Sequence, residues 1–72
     1  MKVNICYRVK GSPGTYRVVS DRDRDRFKEM TVKEAKQYFN DYLKDDPNIT
    51  EVWLRKFDYW SYRRVKTLKE IQ

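Results

Sequence analysis

Residues 2–20, KVNICYRVKGSPGTYRVVS, decide the fold. Val3, Ile5, Tyr7 and Val9 alternate with Lys2, Asn4, Cys6, Arg8 and Lys10, the pattern of a strand with one apolar and one polar, basic face. Gly11-Ser12-Pro13-Gly14 follows, and Pro13 and Gly14 suit the two central positions of a type II turn. Thr15 to Ser20 reads as the returning strand, with Tyr16 and Val18 on one face and Thr15, Arg17 and Val19 on the other. The chain therefore opens with a β-hairpin.

Beyond the hairpin, Asp21 to Arg26 is DRDRDR, a strict alternation of opposite charges that is well solvated and buries nothing. It is expected to form a loop or irregular extension, anchored at its far end by Phe27 and Met30. Thr31-Val32-Lys33-Glu34 has the form of a capping box, in which the Thr31 hydroxyl takes a backbone N–H while Glu34 reaches back. Behind it Val32, Ala35, Phe39, Tyr42 and Leu43 follow the helical period. Pro47 ends that helix, because it disfavours the helical conformation of Asp46.

Ile49 to Phe57 is the next strand, with Val52 and Leu54 alternating against Trp53, Arg55 and Phe57. In the last segment Tyr62, Val65, Leu68 and Ile71 recur every three residues, which leans helical. Its Tyr, Val and Thr favour strand, and no helix start is present beyond Ser61. A fourth strand after a turn at Asp58 to Ser61 is the expected outcome. The fold class is α+β, ordered strand, strand, helix, strand and strand, with one helix on one face of a small antiparallel sheet. At 72 residues a single domain is expected.

A helix with one apolar stripe covers one sheet face. If it covers Val3, Ile5, Tyr7, Val9, Tyr16, Val18, Val52 and Leu54, alternation turns the remaining side chains to the other face. That face would present Lys2, Asn4, Cys6, Arg8, Lys10, Arg17, Trp53, Arg55 and Phe57. Cations around large rings on an open sheet make a stacking platform of the kind used by readers of single strands. The competing expectation is that Trp53 and Phe57 pack against the C-terminal segment as a second core. A third is a protein interface or homodimer through the same aromatic face. Arg63 and Arg64, with Lys66 and Lys69, form the densest basic cluster, suited to phosphate contact or to guarding a strand edge.

Aromatic residues concentrate near the C-terminal end: Trp53, Phe57, Tyr59, Trp60 and Tyr62 fall in one short stretch among Arg55, Lys56, Arg63 and Arg64. The net charge of +6 is also uneven, at +4 over residues 1–20, zero over 21–30, −1 over 31–47 and +3 over 48–72. If both ends fold onto one surface, their field attracts polyanions. The bland alternative is charge carried for solubility.

Catalytic chemistry is not expected. There is no histidine, which removes the usual general base and the commonest metal ligand, and with two glycines there is no phosphate loop. Asp21-x-Asp23-x-Asp25 imitates the start of a calcium loop but breaks at Arg26 and Val32, so neither metal nor cofactor is expected. Cys6 has no cysteine partner, which fits a reducing, cytoplasmic setting, and it reads as a small sheet residue. No apolar run approaches the roughly 18 residues of a membrane span, and nothing resembles a targeting segment.

The expected function is that of a non-enzymatic basic binding module for nucleic acid or a nucleoprotein complex. Its candidate contact residues are Lys2, Arg8, Lys10, Arg17, Trp53, Arg55, Phe57, Arg63, Arg64 and Lys66. The architecture invites comparison with RNA-recognition sheets, but their glycine-containing aromatic motif is missing, since Glu51 to Tyr59 holds no glycine. The alternative is a protein-binding inhibitor or adaptor, of the type phages and mobile elements encode, that blocks a host nucleic-acid enzyme or defence complex.

Overall fold

The computed structural model describes residues 1–58 and 61–70. Tyr59 and Trp60, at the centre of the expected last turn, and Ile71 lie outside the described residues. Among those described, the elements are β1 (Lys2–Val9), β2 (Tyr16–Arg17), β3 (Met30–Thr31), α1 (Val32–Tyr38), β4 (Ile49–Asp58) and β5 (Ser61–Glu70). The strands form an antiparallel sheet in the order β2-β1-β4-β5, with β3 pairing the start of β1. The α+β class and the C-terminal strand are as the sequence predicts.

The hairpin forms, but its turn differs. The Ser12 N–H donates to the Val9 carbonyl at 3.1 Å, so Lys10 and Gly11 are the central residues, and Gly11 takes φ +79°. That is the left-handed conformation the third position of a type II turn demands. Gly14 does not adopt it. The returning strand is also shorter than expected. After Tyr16 and Arg17 pair with Tyr7 and Cys6, the chain leaves the sheet beyond Val18, and the charged stretch forms a loop closed by a Val19–Phe27 bridge.

The capping box is complete: Thr31 N donates to Glu34 Oε1 at 2.9 Å, and Glu34 N to Thr31 Oγ1 at 3.1 Å. The Thr31 backbone N–H on the carboxylate, with the Thr31 side chain beside it, favours the ionised form and holds the Glu34 pKa below its ordinary value. The helix then widens into a π-helical turn over Phe39–Leu43, where Lys44 N reaches back five residues to the Phe39 carbonyl at 2.8 Å. The extra residue per turn delays everything behind Phe39 relative to the 3.6 period. Leu43 swings into the core at 7% exposure, whereas Tyr42 turns out to 66%. Tyr38 packs inward against the core and meets Tyr42 at a tilt of 51°, with ring centroids 4.7 Å apart.

The core is the layer between the sheet and this helix. Val3, Ile5, Val52 and Leu54 point up from the two central strands, flanked by Val18, Met30 and Ile49, and Ala35 and Leu43 press down on them. Of the side chains assigned to the helix-covered face, Val3, Ile5, Val18, Val52 and Leu54 are buried and Tyr7 packs against them, whereas Val9 is half-buried. Tyr16, paired with Tyr7 on the same face and stacked on it at 5.6 Å, is exposed. The helix end is secured from β5: Lys69 Nζ donates to the carbonyls of Lys44 and Asp46 at 3.1 and 2.9 Å. A cation there offsets the unpaired carbonyls and the negative end of the helix dipole.

The three-residue recurrence in the last segment has a strand explanation. The β4–β5 register shifts twice, between Val52 and Trp53 and between Leu54 and Arg55, and the β5 residues passed over are Leu68 and Val65. Each shift inserts one residue and resets the alternation, so two bulges turn a period of two into one of three.

The π-turn can be checked by its reversal of two neighbours. Leu43→Ala should cost about 2–5 kcal/mol, as buried Leu truncations do. Tyr42→Ala should cost about 1 kcal/mol or less, the worth of one exposed ring contact. Urea denaturation of both variants decides it, and the opposite ranking would restore a plain α-helix.

Candidate functional site

The helix-free face is built by the odd-numbered residues of β4, Glu51, Trp53, Arg55 and Phe57, beside the even-numbered ones of β1. Alternation thus places Trp53 and Arg55 opposite the helix, as expected, but the expectation that they are open fails. Trp53 and Arg55 are each only 8% exposed. Their cover comes from neighbouring strands and from the loop before β3. This is the second core, and arginines build much of it.

Arg8 of β1 and Arg64 of β5 lie over the Trp53 ring, their guanidinium carbons 5.8 and 4.4 Å from its centroid. Both are tied to Glu51, Arg8 Nε at 3.5 Å and Arg64 Nη2 at 2.8 Å. One carboxylate thus holds two cations above one indole, and both arginine side chains remain about half exposed. Planar guanidinium stacks on aromatic faces more readily than ammonium does, and it still offers N–H groups at its edge.

A second stack surrounds Arg55. Its guanidinium carbon is 3.7 Å from the Tyr62 centroid and 4.6 Å from that of Phe27, and Nε donates to Asn4 Oδ1 at 3.1 Å. Asn4 uses its amide fully, since Nδ2 also donates to the carbonyls of Val18 and Lys28 at 2.9 and 3.0 Å. It stitches the charged loop to β1 in the gap between β2 and β3. Phe27 and Phe57 meet Tyr62 at steep angles, 79° and 68°, with centroids 5.9 and 5.6 Å away. Burial lowers the Arg55 pKa and raises that of Cys6, whose thiol lies beneath the same layer. A buried thiol with a raised pKa is inert at neutral pH, in keeping with its reading as a sheet residue.

The expected contact residues do not all meet. Lys2, Arg8, Arg17 and Arg64 are exposed on the helix-free face around Trp53 and Arg55, and Phe57 remains 58% exposed at its end. Lys10 stands apart in the turn after β1, with its N–H on the Asn48 carbonyl at 2.7 Å. Plain alternation turns Arg63 away from the face of Arg64, and the bulge at Val65 sends Lys66 the same way. Arg63 pairs across from Lys56 and bonds Asp58 at 3.6 Å. Lys66 lies opposite Leu54 on the helix side, where the close approach of the Lys36 ammonium lowers its pKa. Lys69 is engaged as the helix cap, so the cluster of four cations in the sequence is dispersed in space.

Two residues of this layer were given no part in the site by the sequence: Asn4, placed on the helix-free face without a role, and Phe27, read as an anchor of the loop. Asparagine is a poor strand former, and its place in the middle of an otherwise strong strand was the available signal. Phe27 carried none beyond its apolar character.

Trp53→Ala should cost about 3–5 kcal/mol in urea denaturation, as buried Trp truncation does. Phe57→Ala should change stability by about 1 kcal/mol or less. A Trp53→Ala protein as stable as its parent would restore the open platform. Compared with protein-family models, with curated proteins and with solved structures, the chain finds no match.

Proposed function

We propose that the protein is a non-enzymatic module that binds nucleic acid through its helix-free sheet face. The observation that carries this reading is the gathering of Lys2, Arg8, Arg17 and Arg64, all exposed, on one face beside half-exposed rings. Their sources are the two basic ends of the chain, which β1, β4 and β5 bring side by side. The carboxylates Glu51 and Glu70 oppose them and leave the balance positive. Phosphates would meet guanidinium edges, while Arg planes and the rings of Phe57 and Tyr62 offer bases a stacking surface. The reading differs from an open tryptophan platform in one respect: Trp53 supports the arginines that make contact and is not itself the contact.

A cytoplasmic setting accords with the unpaired Cys6, and no helix among the described residues is long and apolar enough to cross a membrane. A second reading, a protein-binding adaptor or inhibitor, is favoured by β5. Among the described residues this ten-residue strand pairs with β4 alone and leaves an edge open to strand addition.

Binding to mixed-sequence single strands should weaken steeply between about 50 and 200 mM salt, through counterion release. Arg8→Ala and Arg17→Ala should each reduce the log–log salt slope by about 0.7 for every phosphate left without its cation. A flat salt dependence, or no complex at micromolar protein, would remove the nucleic-acid reading and leave the adaptor.

A further inference from the structure

The β5 strand offers a free edge as well as a face. On the side away from β4 none of the described residues pairs with it, and Ser61 to Thr67 are all exposed. Ser61 to Arg64 pair with β4 in unbroken register, from Asp58 back to Arg55. In an antiparallel ladder only alternate residues turn their N–H and C=O groups to a given neighbour, so the others in this run hold theirs toward solvent. Those groups are a template for one more strand.

The side chains beside that edge decide which strand fits. Ser61–Glu70 carries four cations, Arg63, Arg64, Lys66 and Lys69, against the single acid Glu70. Arg63 and Arg64 are tied to Asp58 and Glu51, and Lys69 caps the helix end. On the helix side Lys66 lies close to Lys36 of α1, and neither has an ion-pair partner among the described residues. The two ammoniums repel, and their approach lowers the Lys66 pKa. A carboxylate between them would relieve that repulsion. A second copy of β5 would do the reverse, setting two cationic strands edge to edge in two chains of net charge +6. The bulges at Val65 and Leu68 also break the ladder, and with the cations they guard the edge against long, flat or uncharged strands. What stays open is a short stretch with a charge preference.

We infer that the β5 edge takes up a short, extended, acidic segment of a partner protein as an added strand, with a carboxylate between Lys36 and Lys66. The inference rests on the protein-binding reading and deepens it by naming the chemistry of the partner. Backbone groups that recur along a strand match a peptide, whose own N–H and C=O groups recur at the same spacing. Nucleic acid has no such repeat to offer them.

The test uses extended peptides in which glutamate alternates with valine and threonine, so that all carboxylates share one face, and matching peptides with lysine in place of glutamate. Each is titrated into the isotope-labelled protein at low ionic strength, where exposed charges are least screened, and followed by the amide NMR signals of β5. The glutamate peptide should bind about fivefold or more tightly than the lysine peptide, the upper worth of one exposed charge pair. Lys36→Ala with Lys66→Ala should remove most of that preference. Two further versions of each peptide carry N-methyl groups, one on the odd and one on the even residues. An added strand uses the N–H groups of one set only, so one version of the glutamate peptide should bind like its parent and the other should lose most of its affinity. Equal binding of both versions would mean attraction without strand pairing, and overturns the inference. A lysine peptide that binds as well as the glutamate one, with the same dependence on methylation, overturns the acidic partner and leaves the protein-binding reading standing. If a deoxythymidine homopolymer shifts the β5 amides and no peptide does, the inference falls and the protein-binding reading loses its support with it.

Discussion

The contact on which the molecule depends is the burial of Arg55 between Tyr62 and Phe27. The helix closes one face of the sheet and leaves the other to be closed by side chains alone. A cation in such a place is unfavourable unless its charge meets rings and its N–H groups meet acceptors. The Tyr62 and Phe27 rings answer the charge, and Asn4 accepts from Nε. The same arrangement positions three separate pieces of chain: β5 through Tyr62, the charged loop through Phe27, and β1 through Asn4. Arg55 therefore organises the half of the protein that the hydrophobic core does not reach.

This division explains what the amino acids disclosed. The central layer was legible because alternation and helical period are local properties: Val3, Ile5, Val52 and Leu54 could be placed on one face, and Thr31 and Glu34 announced the helix start. Features that depend on an inserted residue were not. The π-turn took Tyr42 off the inward stripe that Leu43 keeps, and the bulge at Val65 carried Lys66 away from the face that Arg64 joins. A shift of one residue costs little locally, yet it moves a side chain from one surface to the other. The turn at Lys10-Gly11 belongs to the same class, since either glycine satisfied the turn chemistry and only strand register chose between them.

The second layer was half legible. Alternation identified Trp53 and Arg55 as neighbours of the first-strand cations, but it could not tell whether long side chains would cover them. Arg8 and Arg64 do so with their guanidiniums over the indole, while about half of each side chain stays in water. One set of residues then serves stability and recognition together. Guanidiniums pinned on Trp53 and tied to Glu51 are ordered before any ligand arrives, which lowers the entropy lost on binding. The cost is rigidity of composition: replacing either arginine removes cover from the indole as well as charge from the surface.

The most direct test of the central contact is a double-mutant cycle between Arg55→Met and Tyr62→Leu, followed by urea denaturation. Met keeps much of the apolar stem, and Leu keeps an apolar side chain without the π face. If the stacked guanidinium holds the layer together, the two changes should be coupled by about 1 kcal/mol or more, between the exposed and desolvated ranges for such contacts. Additive effects, with no coupling beyond about 0.3–0.5 kcal/mol, would contradict it. They would mean that the helix-free face is held by burial of the rings alone.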